Sequence, residues 1–464
     1  MTGRQIPIIM ALGTTQTLAW ASSYYLPAIL ADPIARDLGI SSNWVFAAFS
    51  ASLVISALIG PRVGRQIDLV GGRSVLSMSN LTLAAGLTLL GLSTSIPLLV
   101  VAWLLLGVGM GAGLYDAAFG ALGRIYGDHA RRAITGITLL AGFASTVGWP
   151  LTAWGLESIG WRNTCYAWAA AHLLIGLPLN FFMLPPVKGA KAAVAAAVKP
   201  HIPIDRTMML LGFAFAAAWS VTGAMAAHLP RIVEAAGATT GQAVFAGALI
   251  GPAQVAARIF EAGFLSRYHP LVSTRIACIT HPIGAAILAL AGGGAASVFA
   301  VFHGAGNGIL TIARGTLPLA IFGPLNYGYR LGIVGAPARM AQAAAPLLFG
   351  LLIDAMGSRV LMVSSALSLA AFLALLLLRM KAAEPWLCQP CDLPLPFAKR
   401  FAQNRGMENA DIRGLVRWAI TPPQSYAIYL VCLFLVAGLS FYVGTLKPKH
   451  AGGMVPPPMS APRN

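Results

Sequence analysis

Charge is what this chain has least of. Asp, Glu, Lys and Arg make up 10% of its 464 residues, against roughly 25% in an ordinary soluble protein. So few charges cannot cover the surface of a water-soluble fold of this length. Cysteine is scarce too: Cys165, Cys278, Cys388, Cys391 and Cys432 are too scattered for a disulfide framework. Cys388 and Cys391 form a single C-x-x-C, which lacks the second pair that a zinc site needs. Fifty glycines show no three-residue period, so collagen is excluded. Apolar residues at 57% and a mean hydropathy of +0.75 exclude disorder. No phosphate loop, metal cluster or nucleophile constellation stands out. That excludes an ATP-driven pump, points away from an enzyme, and leaves no cofactor or metal to expect.

What is present is a series of long uncharged runs. A helix needs about 20 apolar residues to cross a bilayer. Residues 5–31, 38–61, 74–115, 133–156 and 163–187 predict six crossings, because 74–115 holds two with a turn at 93–97. Residues 207–230, 235–257, 276–313, 331–353 and 360–378 predict six more, with 276–313 split near the glycines at 292–294. The expected fold is all-α and membrane-integral, with twelve helices as six plus six. The expected organisation is a bundle at 1–184, a charged linker at 185–206, a second bundle at 207–380 and an extension at 381–464. Within that extension residues 426–444 predict a thirteenth helix, which anchors or packs. Arg4 before the first run resembles a signal peptide, but the run is too long for one.

The net charge of +17 would mean nucleic acid in a soluble chain. Here it follows the rule that cytoplasmic loops collect Lys and Arg. With the N-terminus inside, 24 basic residues fall in cytoplasmic segments, and only Arg36, Arg162, Arg231 and Arg359 lie in the outer loops of the core. The expected setting is the plasma membrane, or a bacterial inner membrane, with a cytoplasmic N-terminus, the tail 445–464 outside and no nucleic-acid partner.

The two halves match at a nearly constant offset: Gly64-x-x-x-Asp68 with Gly263-x-x-x-Arg267, Gly160-Trp161-Arg162 with Gly357-Ser358-Arg359, and Pro150 with Pro346. Parallel six-helix repeats are one transporter construction, with substrate between the halves near the midplane. The loop at 64–73 reads Gly-Arg-Gln-Ile-Asp-Leu-Val-Gly-Gly-Arg. Through Gly64, Asp68, Gly71 and Arg73 it resembles the loop signature of the major facilitator superfamily, although Leu69 and Gly72 occupy two of its basic positions. The resemblance covers residues 1–380 in architecture. It implies a monomeric secondary transporter working by alternating access, with this loop as a conformational latch. Physically, Asp68 can cap a neighbouring helix or pair with an arginine. Tyr115 through Arg132, with Gly148-Trp149-Pro150 and Gly160-Trp161-Arg162, resembles the monocarboxylate and oxalate/formate porters. Arg258, in Gln254-x-x-x-Arg258, matches the arginine of an Asp-x-x-x-Arg motif in the monocarboxylate carriers, but Gln254 replaces the acid. Arg339 falls near a basic position of the oxalate porter.

Charges inside a bilayer cost about 2.5–3.5 kcal/mol each on insertion scales, so each needs a reason. Arg258 and Glu261 are one turn apart and can neutralise each other. Arg314 is expected to snorkel to the headgroups. Arg339 has no acid within four positions, which makes it the leading anion-binding cation. Asp116 follows the glycines 107, 109, 111 and 113, which are expected to let helices approach closely. Asp116, with Glu261, is a candidate proton carrier or a gate paired with an arginine of the other half. Gln16, Tyr24 and Tyr25, Tyr115, Trp219 and Ser220, and His303 with Asn307 are the polar or aromatic candidates for lining the path; an isolated His303 is expected to pack rather than bind. The expected substrate is a small organic anion of monocarboxylate type, carried with protons or by exchange. The rival readings are export of drugs or other toxic compounds, and a transporter-like membrane sensor.

Overall fold

In a computed structural model of the chain, residues 5–186 and 202–378 are described, and all lie in one compact unit, Met1–Glu408. The middle of the linker, the C-x-x-C and the expected helix at 426–444 lie outside the described residues.

A backbone without water must satisfy its polar groups internally, and a helix does so within one segment. The described residues form no strand. α1 (Gln5–Ala19) passes through a π-helical turn (Trp20–Tyr24) to α2 (Pro27–Asp37). Then follow α3 (Ser42–Val70), α4 (Gly72–Gly91), α5 (Ile96–Gly113), α6 (Tyr115–Tyr126), α7 (Ala130–Ala141), α8 (Ala144–Ala171) and α9 (Leu177–Met183). Beyond residue 201 come α10 (Arg206–Ala235), α11 (Thr240–Gly263), α12 (Pro270–Ala291), α13 (Ala296–Phe322), α14 (Tyr327–Met356) and α15 (Val360–Leu376).

Among the described residues, seven helical segments are long and apolar enough to cross a membrane: Ser42–Val70, Gly72–Gly91, Ile96–Met183, Arg206–Ala235, Thr240–Gly263, Pro270–Phe322 and Tyr327–Leu376. Three of them are composites. The 88 residues of Ile96–Met183 would extend on the order of 130 Å at 1.5 Å per residue, far beyond a bilayer. Glycines supply the breaks: Gly160 inside α8 (φ 78°) and Gly357 between α14 and α15 (φ 58°) take a conformation that other residues rarely adopt. These are the matched Gly-x-Arg positions of the sequence repeat. One expected boundary moves. α10 continues past Arg231 to Ala235, and α11 starts at a capping box in which Thr239 and Gln242 satisfy each other's backbone. An uncharged-run rule ends a helix at its first charge; the capping chemistry does not.

Close packing repeats as well. A methyl group on Gly107 or Gly111 of α5 would strike α3 at Ser52 or at Ile59 and Ser56. One on Gly304 or Gly308 of α13, 197 residues later, would strike α11 at Ile250 or Gln254. The glycine ladder therefore sets helix approach, as expected. α14 lies along α3, α13 touches α6 and α7, and α11 touches α7, so contacts cross between the segments before and after the linker.

Candidate functional site

Five charged side chains are buried among the described residues: Asp116, Arg258, Glu261, Arg314 and Arg339. The chain breaks at Leu114 between α5 and α6, which puts Asp116 in the first turn of α6, where a helix favours a carboxylate. Its Oδ2 accepts from Arg314 Nη2 of α13 at 2.7 Å and from Arg339 Nη2 of α14. Arg339 Nη1 also donates to the Ser56 carbonyl at 2.9 Å and the Ser56 hydroxyl at 2.8 Å on α3. The Arg314 guanidinium lies 4.9 Å from the Trp219 ring centroid. Gly335 leaves room for this junction: a Cβ there would stand 2.9 Å from Asp116 Oδ2.

Three expectations change. Arg314 does not snorkel; it is buried and bonded to a carboxylate 198 positions away. Arg339 is not an unpaired cation, because it shares Asp116. Arg258 and Glu261 do not neutralise each other. Glu261 accepts from Arg131 Nη2 at 3.0 Å, and Arg131 Nη1 donates to the Tyr268 carbonyl at 2.9 Å. Arg258 instead donates to the Thr138 carbonyl at 2.9 Å, Gln254 Oε1 at 3.2 Å, the Gly308 carbonyl at 3.4 Å and the Thr311 hydroxyl at 3.5 Å. All four partners are uncharged, so among the described residues Arg258 is the buried guanidinium whose charge meets no carboxylate.

The first span supplies an aromatic face. Trp20 packs against Tyr24 at 5.1 Å and Tyr115 at 5.0 Å between ring centroids, and Tyr115 stacks on Phe119 at 5.2 Å. Tyr115 and Tyr25 lie within electrostatic reach of Arg258, and Tyr24 within that of Arg314. Gln342, one turn after Arg339, donates to the Tyr24 hydroxyl at 2.8 Å. Gln16 Nε2 donates to the Gly113 carbonyl at 2.6 Å.

His303 and Asn307 are placed elsewhere. His303 is not isolated: its Nδ1 meets His281 Nδ1 at 3.0 Å, and His281 Nε2 meets the Ser364 hydroxyl at 2.9 Å. Asn307 Oδ1 accepts from Thr222 at 3.2 Å. His281, His303, Asn307 and Thr222 line a cavity of about 20 Å³ between α10, α12, α13 and α15, room for one water. Asp68 does what its position allows: its Oδ1 and Oδ2 accept from the Gly328 and Tyr329 backbone N–H groups at 2.9 and 2.8 Å, capping α14. Gly64 faces the Gly328 backbone with no room for a side chain, Gly71 ends α3 with φ 82°, and Arg73 lies 4.1 Å from the Phe181 ring centroid. Sequence reasoning missed Trp20, Ser56, Arg131, His281 and Gln342. Arg131 alone had a visible signal, in a Lys/Arg-rich segment that topology had already absorbed.

These observations define a helical membrane protein with an arginine-rich junction between its two helical portions. The family model described as Major Facilitator Superfamily matches residues 12–302, and the chain belongs to that superfamily. It is 25% identical over 349 residues to an uncharacterized 38 kDa protein in the 23S RNA operon of Thermoproteus tenax, covering 75% of this chain and 89% of that protein. It is 33% identical over 104 residues to the oxalate:formate antiporter of Oxalobacter formigenes, a match spanning 22% of this chain and about a quarter (25%) of the antiporter. In structure it is similar to the human organic anion transporter MFSD10 (TETRAN), with a TM-score of 0.63 at 16% identity, covering 81% of this chain and 100% of that one; this likeness concerns the fold.

Proposed function

We propose that this superfamily member is a secondary transporter that moves a small organic anion by alternating access, coupled to protons or by exchange. The chain then crosses the membrane twelve times as two six-helix bundles, works as a monomer, and keeps its N-terminus in the cytoplasm of a plasma or bacterial inner membrane. The observation that carries the reading is the charge balance. Three arginines are buried against Asp116 and Glu261, and Glu261 is already matched by Arg131. A buried charge without a counter-ion is costly, and a carboxylate substrate supplies the missing one. Arg258 and Arg339 bind the substrate. The tie of Asp116 to Arg314 and Arg339 acts as a gate that holds the two bundles together on one side of the site. Asp68 against α14 is the latch. The local resemblance to an oxalate:formate antiporter supports the same substrate class.

The rival, export of drugs or other toxic compounds, is favoured by the aromatic face of the first span. The test is uptake of radiolabelled acids into proteoliposomes with and without a pH gradient. Acid-specific uptake is expected; carriage of neutral or cationic solutes alone would favour the rival.

A further inference from the structure

The buried arginines account for one end of a substrate. The other end faces the first span, where unused hydrogen-bonding groups and aromatic rings coincide. Gln16 is 1% exposed, and its Oε1 has no hydrogen-bond partner among the described residues; neither has the indole Nε1 of Trp20, one turn further on. An unmet buried polar atom costs about 1–3 kcal/mol. The two atoms are complementary, because Gln16 Oε1 accepts only and Trp20 Nε1 donates only. The pair suits a hydroxyl, which can donate to the first and accept from the second. Trp20 opens the π-helical turn, a distortion frequent at functional sites, which presents Trp20, Tyr24 and Tyr25 on one stretch of chain. With Tyr115 and Phe119 these rings form a continuous aromatic wall; the wall reaches the arginines through Tyr24, whose hydroxyl accepts from Gln342 one turn after Arg339, and through Tyr115, which directly precedes Asp116 and lies within electrostatic reach of Arg258. Such a wall stacks on a flat unsaturated body and offers little to a two-carbon acid.

Resting on the organic-anion reading above, we infer that the substrate is an aromatic carboxylate bearing a ring hydroxyl. The carboxylate lies on Arg258, the ring against Trp20 and Tyr115, and the hydroxyl between Gln16 and Trp20. The geometry separates the roles of the groups. Trp20→Phe keeps a stacking ring but removes the N–H together with the second ring, so it should weaken the hydroxylated ligand more than the unsubstituted one.

The experiment is equilibrium binding of labelled ligands to the full chain in nanodiscs, with 4-hydroxybenzoate, benzoate, acetate, oxalate and neutral benzyl alcohol as probes. The expected result for the unaltered protein is benzoate at least tenfold tighter than acetate or oxalate, with 4-hydroxybenzoate tighter again by several-fold. Trp20→Phe should erase that last increment, so that 4-hydroxybenzoate binds no tighter than benzoate to the variant. Acetate or oxalate binding as tightly as benzoate would overturn this inference and leave the organic-anion reading standing. Equal loss of both aromatic acids in Trp20→Phe would overturn the hydroxyl assignment. Benzyl alcohol binding as well as benzoate, with no carboxylate preferred, would overturn both readings. The ligand series on the unaltered protein decides the first and third outcomes even if the variant does not fold.

Discussion

Arg258 and Arg339 look alike in the sequence: each is an arginine in an apolar run, beside a glycine-rich helix. Their surroundings separate them. Arg339 shares a carboxylate with Arg314, whereas Arg258 is held by three helices through uncharged oxygens alone. Losing Arg339 therefore removes part of a charge network as well as a substrate contact, and losing Arg258 removes mostly the contact. Arg258→Gln should weaken carboxylate binding tenfold or more, since a charged hydrogen bond contributes about 1.5–3 kcal/mol. Its melting temperature should hold or rise. Arg339→Gln should lower the melting temperature and weaken binding together, because Asp116 is left with one partner. Uptake kinetics and thermal denaturation of the same two preparations check this. The sequence alone ranks Arg339 first, because it shows whether an acid lies within a helical turn and nothing beyond. The acid that pairs Arg339 is 223 positions away, and Ser56, which holds its other nitrogen, is 283 away. Side-chain pairs of that kind exist only after the helices have packed.

At the scale of elements, punctuation is legible and partnership is not. Gly71, Gly160 and Gly357 mark helix ends in the sequence because only glycine takes positive φ without strain. The acid of the 64–73 loop is legible as a cap, but that it caps α14 rather than a nearby helix is not. The π-helical turn at Trp20–Tyr24 left no trace in an uncharged run, so the aromatic wall was read as separate residues. The junction of α3 with α14 yields a prediction. Asp68→Asn keeps one amide oxygen for the α14 N-terminus and loses the charge and the second acceptor. It should keep expression and slow uptake several-fold. Gly64→Val should do more, because its side chain has nowhere to go against the Gly328 backbone. Unchanged turnover in both would mean that this contact is idle in the transport cycle.

For the whole molecule, the repeat is the informative feature. Arg258 of α11 stands against Gly142, and Arg339 of α14 stands near Gly60 of α3. Gly60 and Arg258 are 198 positions apart, and Gly142 and Arg339 are 197 apart. The portion after the linker thus presents both arginines, each at the place where the repeat before the linker presents a glycine, and the repeat exchanges the two Arg–Gly contacts. The offset was visible in the sequence as a few loop residues. Its consequence, two arginines of one portion aimed across one interface in repeat-related contacts, needed the packing. The proposed orientation is tested by single cysteines in a background without others. Asp128→Cys, between α6 and α7, should react with a membrane-impermeant maleimide only from the cytoplasmic side. Glu234→Cys, at the end of α10, should react only from the opposite side. The reverse pattern would invert the topology argued from the distribution of Lys and Arg.

The central claim is that a carboxylate charge, met by Arg258, is what this protein selects. Proteoliposome uptake of acetate, oxalate and benzoate, each compared with its own amide, tests that charge directly at nearly constant shape. The account predicts that the unaltered protein carries at least one acid and leaves its amide behind, and that Arg258→Gln loses the preference. Amides carried as fast as their acids, or a preference that survives Arg258→Gln, would contradict it.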